Sequence, residues 1–256
     1  MNALFTSDIH GLVVAYLQFA ELLKGPSYDI GIIAGDLTSG FKLEDLEISH
    51  NDEGVANDRH LEELNSPNEH SPFVVDMLLA KAYLEKETEF KAILSLARKP
   101  VFFIMGNDDG LVTREWTSEG QIQNINQRRI EISDMNIVGY QYTNPFVGGL
   151  FEKTVRQQKN DFKKLIELVD SSTILVTHGP AYGFFDQVSG YPWKNNNVSV
   201  GSRALRWLIE KAKPKLHLYG HIHKGFGING KQINGAYPLQ RKFMSIDLNT
   251  SEAKIL

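Results

Sequence analysis

Five short clusters carry the groups in this chain that could do chemistry: Ser7-Asp8-Ile9-His10-Gly11, Gly35-Asp36, Gly106-Asn107-Asp108-Asp109, Thr177-His178-Gly179-Pro180 and Gly220-His221-Ile222-His223. Within them stand seven potential metal ligands, Asp8, His10, Asp36, Asn107, His178, His221 and His223. Imidazole nitrogens, carboxylates and an amide oxygen, with no thiolate, suit borderline divalent cations. Side chains two apart in a strand point to the same side, so Asp8 with His10, and His221 with His223, are each expected to present two ligands from one strand end. A glycine adjoins every cluster, as expected where backbone turns sharply or approaches an ion closely. One carboxylate shared by two cations roughly 3.5–4 Å apart gives the geometry that clamps the attacking and leaving oxygens of an in-line displacement. The pattern therefore points to phosphate ester hydrolysis at a two-metal site.

The elements that must position these groups read as alternating strands and helices. Apolar runs at 2–6, 30–34, 101–105, 173–176 and 216–219 end at Asp8, Asp36, Asn107, His178 and His221 in turn, so the ligands fall at the carboxyl ends of strands, where open α/β sheets hold their sites. Helical spacing predicts helices over 12–23, 152–169 and 200–211 and one long or two short helices over 73–97, and a hairpin joins 130–132 to 136–140. After residue 219 the chain reads as short strands with hairpin turns at Asn229-Gly230 and Asn234-Gly235. Two face-to-face sheets with helices outside both would bury these strands on each side.

A chain of 256 residues with 42% hydrophobic content can bury a large core, and a single domain over 1–256 is expected. No run approaches the roughly 20 apolar residues of a membrane span, and the first residues have neither a basic leader nor a cleavage site. With no cysteine, disulfides and thiolate sites are excluded; a cytoplasmic protein is expected. A net charge of −4 argues against broad nucleic-acid binding. Residues 41–70 hold nine acidic side chains against two basic ones and few large apolar residues, so they read as an acidic insertion, solvated or hanging over the site. His50, His60 and His70 fall within it and read as surface residues. His217, inside a strand, reads as structural. Tyr182, Phe184, Phe185, Tyr191 and Trp193 read as loop packing or as a stacking surface for a planar leaving group, and Arg203 and Arg206 as helix-face arginines or phosphate contacts.

In this order the five clusters resemble the signature of the calcineurin-like metallophosphoesterase superfamily: Asp-x-His, Gly-Asp, Gly-Asn-(His/Asp), His and Gly-His-x-His. The resemblance runs from Asp8 to His223, and segments 177–180 and 201–205 look like its small bacterial-type branch. It implies a four-layer α/β/β/α sandwich of two mixed sheets flanked by helices. It also implies two divalent ions, with manganese, iron, zinc, nickel and cobalt all admitted by these donors. Carried over, the first ion takes Asp8, His10, His223 and a bridging Asp36; the second takes Asp36, Asn107, His178 and His221. The implied reaction is attack by a metal-bound hydroxide on a small phosphate ester. One departure matters: where many members carry a histidine as general acid, this chain has Asp108, and a carboxylic acid near pH 7 is mostly ionised. That difference favours phosphodiesters over monoesters. Asp109 is expected to orient its neighbours. The competing readings are a catalytically weak scaffold or binding protein on the same fold, and a nuclease of the same superfamily, against which the lack of a basic tract speaks. Oligomeric state is not legible.

Overall fold

The computed structural model describes residues 1–38, 88–109, 120–146, 149–189 and 197–256. The acidic segment 41–70, residues 73–87, Tyr191 and Trp193 lie outside them.

Four strands run parallel in the first sheet: β1 (Asn2–Thr6), β2 (Ile30–Ala34), β3 (Val101–Ile104) and β4 (Ile122–Asn124). The second sheet begins with an antiparallel hairpin, β5 (Arg129–Ile132) and β6 (Met135–Tyr140). Parallel to β6 lie β7 (Thr173–Thr177), β10 (Leu216–Tyr219) and β12 (Gln232–Asn234), with β11 (Gly227–Asn229) antiparallel at the edge. Between β7 and β10 in sequence, β8 (Gln187–Val188) and β9 (Val198–Ser199) form a small ribbon. The chain then returns to the first sheet, where β13 (Met244–Asp247) pairs antiparallel with β1 and β14 (Glu252–Ile255) with β13. Both six-stranded sheets are therefore mixed.

Strand alternation sorts the core into layers. Ala3, Phe5, Ile32 and Phe102 face the second sheet and meet Ile137, Val176, Leu218 and Ile233. Their neighbours Leu4, Ile33 and Phe103 point the other way, onto Tyr16, Phe19 and Leu23 of α1 (Val13–Lys24) and Phe90 and Leu94 of α2 (88–95). On the far side Val138, Tyr140 and Leu175 pack on Phe162 and Leu165 of α3 (Val155–Leu165) and Leu205 and Leu208 of α4 (Arg203–Ala212). Period-2 burial on both faces of each sheet thus produces the expected four layers. Among the described residues no helix is long and apolar enough to cross a membrane.

Helices α3 and α4 start later than hydrophobic spacing predicts, because side-chain caps set their first turns. Thr154 and Gln157 form a reciprocal capping box, and the Ser202 hydroxyl accepts from Leu205 N. Asn229-Gly230 is the expected hairpin turn, with Gly230 at φ 58°. Asn234-Gly235 is not. The Asn234 amide instead donates to Ile222 O and accepts from Ala236 N. Gly235 is small because Phe5 packs on it: a Cβ there would meet Phe5 Cε1 at 2.5 Å. The glycine marks a close approach between sheets rather than a turn.

His217 is fully buried in β10, with Nε2 2.8 Å from Thr177 Oγ1 and Nδ1 2.6 Å from Gln232 Oε1. It thereby ties together β7, β10 and β12. Burial pushes its pKa down to about 4, outweighing the Gln232 contact, so the ring is neutral.

Two outcomes are expected from this packing. Gly235→Ala lowers stability by about 1–3 kcal/mol through overpacking, and Phe5→Leu in the same chain recovers part of the loss; strictly additive losses in a denaturation cycle would show that Phe5 is not the obstacle. For His217, the unfolded chain binds the proton near pH 6.5 and the folded chain only near 4. Its contribution is whole above 6.5 and shrinks as pH falls toward 4, by roughly 1.4 kcal/mol per unit. The stability gap between wild type and His217→Asn should narrow over that window; parallel curves would refute the neutral buried ring.

Candidate metal centre

All five clusters meet at the carboxyl ends of β1, β2, β3, β7 and β10. Several bonds stitch the two sheets together there: Ala34 O, which accepts from Ser7 Oγ of its own sheet at 2.9 Å, accepts from His178 Nδ1 of the other at 2.8 Å, and Ser7 N donates to Gly235 O at 3.0 Å. The loop after β1 runs beside the loop after β2, with Asp8 N, His10 N and Gly11 N donating to Gly35 O, Asp36 O and Leu37 O. These bonds continue the parallel pairing beyond the strands and set the heights of Asp8, His10 and Asp36.

Donor atoms of Asp8, His10 and His223 lie within 4.8 Å of one another, as do those of Asp36, His178 and His221, and those of His10, Asp36 and Asp108. The Asn107 Oδ1 atom is 3.0 Å from His178 Nε2, which brings the seventh donor to the second group. Asp8 and His10 share a group as expected. His223 falls in that same group and His221 in the other, the division that the family resemblance implies, and neither pair sits on a strand. Asp8, His10, Asp36 and His221 have φ of 57°, 48°, 49° and 67°, so four of the seven donors occupy left-handed backbone in the turns past the strands. Asp and His tolerate that region better than most residues, but each still stores strain of order 1–3 kcal/mol. The twist at His221 turns successive donors toward different groups, which strand geometry cannot do.

Two glycines are needed by close approach. A Cβ on Gly106 would collide with the Asp36 carboxylate, and one on Gly220 with Ser7 Oγ and Asp8 Oδ2. The carboxylates are therefore wrapped by backbone, and Asp8 accepts from His221 N at 2.9 Å and Asp36 from Asp108 N at 2.9 Å.

Electrostatics at the site are lopsided. Asp8 is fully buried and Asp36 nearly so, and their ion pairs among the described residues are all with histidines: His223 at 3.4 Å from Asp8, and His178 at 3.3 Å and His10 at 3.8 Å from Asp36. Burial alone would raise the Asp8 carboxyl, but the bond to His223 and the His178 charge outweigh it and hold it well below the carboxylate range. Asp36 is lowered too, burial losing to His178. In return His178, which burial would depress, is raised to about 10 by Asp36. Burial and the His178 charge drive His221 down to about 4. Two buried carboxylates facing imidazoles, with no lysine or arginine partner among the described residues, form a site short of positive charge. Its oxygen and nitrogen donors fit divalent cations, and a proton on His178 Nε2 is what a cation would displace. The Nδ1–H bond to Ala34 O leaves Nε2 as the liganding atom.

Asp108 stands half-exposed at the edge, its Oδ2 3.8 Å from His10 Nδ1 and its Oδ1 accepting from Asn107 Nδ2 at 2.9 Å. Burial, then the Asp36 charge, raises its carboxyl. Asp109 is buried and accepts from Thr38 N, Thr38 Oγ1 and Gly106 N at 2.8, 3.1 and 2.8 Å, joining the loops that carry Asp36 and Asn107. Burial followed by the Asp36 charge pushes it up to about 7. The donors open into a cleft of about 400 Å³ walled by Phe146, Val188, Ile222, Lys224 and Leu239. Phe146, which sequence reading passed over, packs edge-on to His221 with centroids 4.7 Å apart. No local motif marks it. Tyr182 and Phe184 are not in the cleft wall; they lie under the Arg203 and Arg206 guanidinium groups at 3.8 and 4.5 Å.

A family model described as calcineurin-like phosphoesterase matches residues 1–225. Over 55 residues the chain is 42% identical to metallophosphoesterase domain-containing protein 1 of Homo sapiens, a match that covers 22% of this chain and 16% of that protein. It is 25% identical over 122 residues to UPF0046 protein K07C11.7 of Caenorhabditis elegans, covering 47% of this chain and 39% of the relative. The chain thus spans well under half the length of these curated relatives. The fold is shared with TT1561 of Thermus thermophilus, at TM-score 0.59 and 16% identity over 100% of this chain and 97% of that one. It is also shared with a dimetal phosphatase from Danio rerio, at TM-score 0.52 and 8% identity over 96% and 91%. Since the family match takes in all five clusters, this chain belongs to the calcineurin-like phosphoesterases.

Proposed function

We propose that the chain hydrolyses small phosphate esters, diesters ahead of monoesters, at one dinuclear centre assembled by residues 1–256 acting as a single domain. In this reading Asp8, His10 and His223 hold one cation, Asn107, His178 and His221 hold the other, and Asp36 is shared. The observation that carries it is the position of one atom: Asp36 Oδ2 lies 3.3 Å from His178 Nε2 and 3.8 Å from His10 Nε2, between the two donor groups. The 3.2 Å separation of His10 Nε2 from His223 Nε2 also fits, because two nitrogens about 2.1 Å from one ion and at right angles stand roughly 3 Å apart.

The chemistry supplied by a bound pair of divalent cations is Lewis acidity, which makes water nucleophilic at neutral pH and neutralises charge on the phosphoryl oxygens. The protein's own part is orientation. Ala34 O holds the His178 ring, Asp108 Oδ1 holds the Asn107 amide so that its oxygen faces inward, and Asp109 braces the two loops. With Asp108 engaged by Asn107, and with cations favouring its ionised form, it is poorly suited to protonate a leaving group. That supports substrates whose leaving oxygen needs little help. A net charge of −4 without a basic tract supports small esters over nucleic-acid polymers.

Asp36→Asn should lower turnover by more than the roughly 100-fold typical of losing an outer partner of a ligand, with a fall in bound metal and little change in fold. Near-native turnover at saturating manganese would remove Asp36 from the shared position. For aryl phosphodiesters of graded phenol acidity, the rate should depend steeply on leaving-group basicity, and Asp108→His should flatten that dependence. A flat wild-type series would mean that another group already donates the proton.

A further inference from the structure

His221 separates two spaces. One is the cleft; the other is a small cavity behind it of about 20 Å³, lined by Thr143, Asn144, Gln158, Ser202 and His221 among others. One ring nitrogen of His221 belongs to the group with Asp36 and His178. Among the described residues neither ring nitrogen has a protein hydrogen-bond partner, and the ring contacts are to Phe146 and His178. A histidine that serves a cation nearly always donates its other N–H, because that bond fixes both tautomer and ring angle. His178 satisfies the rule through Ala34 O, and His221 does so through no protein group.

The cavity wall has the polarity to supply what is missing. Gln158, fully buried on the inner face of α3, donates to Asn144 Oδ1 at 3.0 Å and to Lys153 O at 2.9 Å, and accepts from Ser202 Oγ at 2.5 Å. Asn144 Nδ2 donates to Val200 O at 2.9 Å, and Thr143 Oγ1 donates to Asn144 O at 3.0 Å. These bonds leave Asn144 one amide hydrogen and one oxygen lone pair, and leave the Thr143 hydroxyl its acceptor capacity. A space above about 10–15 Å³ with two or more polar partners holds a water molecule.

We propose that a buried water in this cavity, held by Asn144 and Thr143, accepts the outer N–H of His221, making Asn144 a positioning residue for the cation served by Asp36, Asn107, His178 and His221. The inference rests on the dinuclear reading above and deepens it. The buried Gln158–Ser202–Asn144 network then links the start of α4 and the inner face of α3 to one side of the metal centre only.

Manganese titration calorimetry on the full chain tests this, using Asn144→Leu, which fills the space with apolar volume, and Asn144→Ser, which keeps a hydroxyl and room for water. Asn144→Leu should weaken one of two cation affinities by about 10–100-fold and leave the other unchanged, with Asn144→Ser close to wild type. The His221 ring 15N shifts should report a single tautomer in wild type and a mixture in Asn144→Leu. Equal weakening of both affinities in both variants, or two unchanged affinities in Asn144→Leu, would overturn the proposal. Failure of wild type to bind two cations would instead overturn the dinuclear reading. If Asn144→Leu does not fold, wild-type His221 shifts showing mixed tautomers would overturn the proposal by themselves.

Discussion

Burying two carboxylates side by side, with no lysine or arginine paired to them among the described residues, is the constraint around which the rest of this structure is arranged. Taking such charges out of water costs several kcal/mol apiece unless hydrogen bonds and counter-charges replace hydration. Backbone amides of His221 and Asp108 supply part of the replacement, and His10, His178 and His223 supply the rest. His178 and His223 do this by holding protons, most plainly His178, which Asp36 raises to about 10. Divalent cations offer the same compensation with more charge and shorter contacts, so metal binding and the integrity of these loops are one equilibrium.

Meeting that constraint dictates where the regular structure stops. Parallel strands from two sheets end together, so their loops deliver donors from opposite sides of one cleft. Left-handed backbone at Asp8, His10, Asp36 and His221 then aims the side chains in directions that strand pleating does not allow. Gly106 and Gly220 let the chain close over the carboxylates. The strain is held by ordinary bonds around it: Ala34 O between the sheets, Asp109 between the loops after β2 and β3, and His217 across three strands of the second sheet. The geometry of the donors and sheet-to-sheet packing are consequently inseparable here, and the layer between the sheets is as much a part of the site as the donors.

Asp108 shows how one side chain at the edge of the site can touch both donor groups. Its carboxylate accepts from the Asn107 amide and faces His10 at 3.8 Å, so it steadies a donor on one side and borders another. Burial and the Asp36 charge both raise its carboxyl, so a side chain that borders two donors carries an electrostatic cost of its own.

The five clusters, the strand that precedes each and the burial of those strands on both faces were legible in the sequence, because each is a local pattern of residue type and spacing. Strands 2–6, 30–34 and 216–219 have the predicted bounds. What tertiary structure alone decided depends on contacts distant in the chain. It sends β13 and β14 back to β1, turns Gly235 from a hairpin residue into the seat of Phe5, and puts Asp8, His10, Asp36 and His221 in left-handed backbone. It also brings Phe146 and the Asn144 network against His221. None of these leaves a periodic trace, since pairing order, ring contacts and backbone handedness at a turn are set by packing between segments rather than within them.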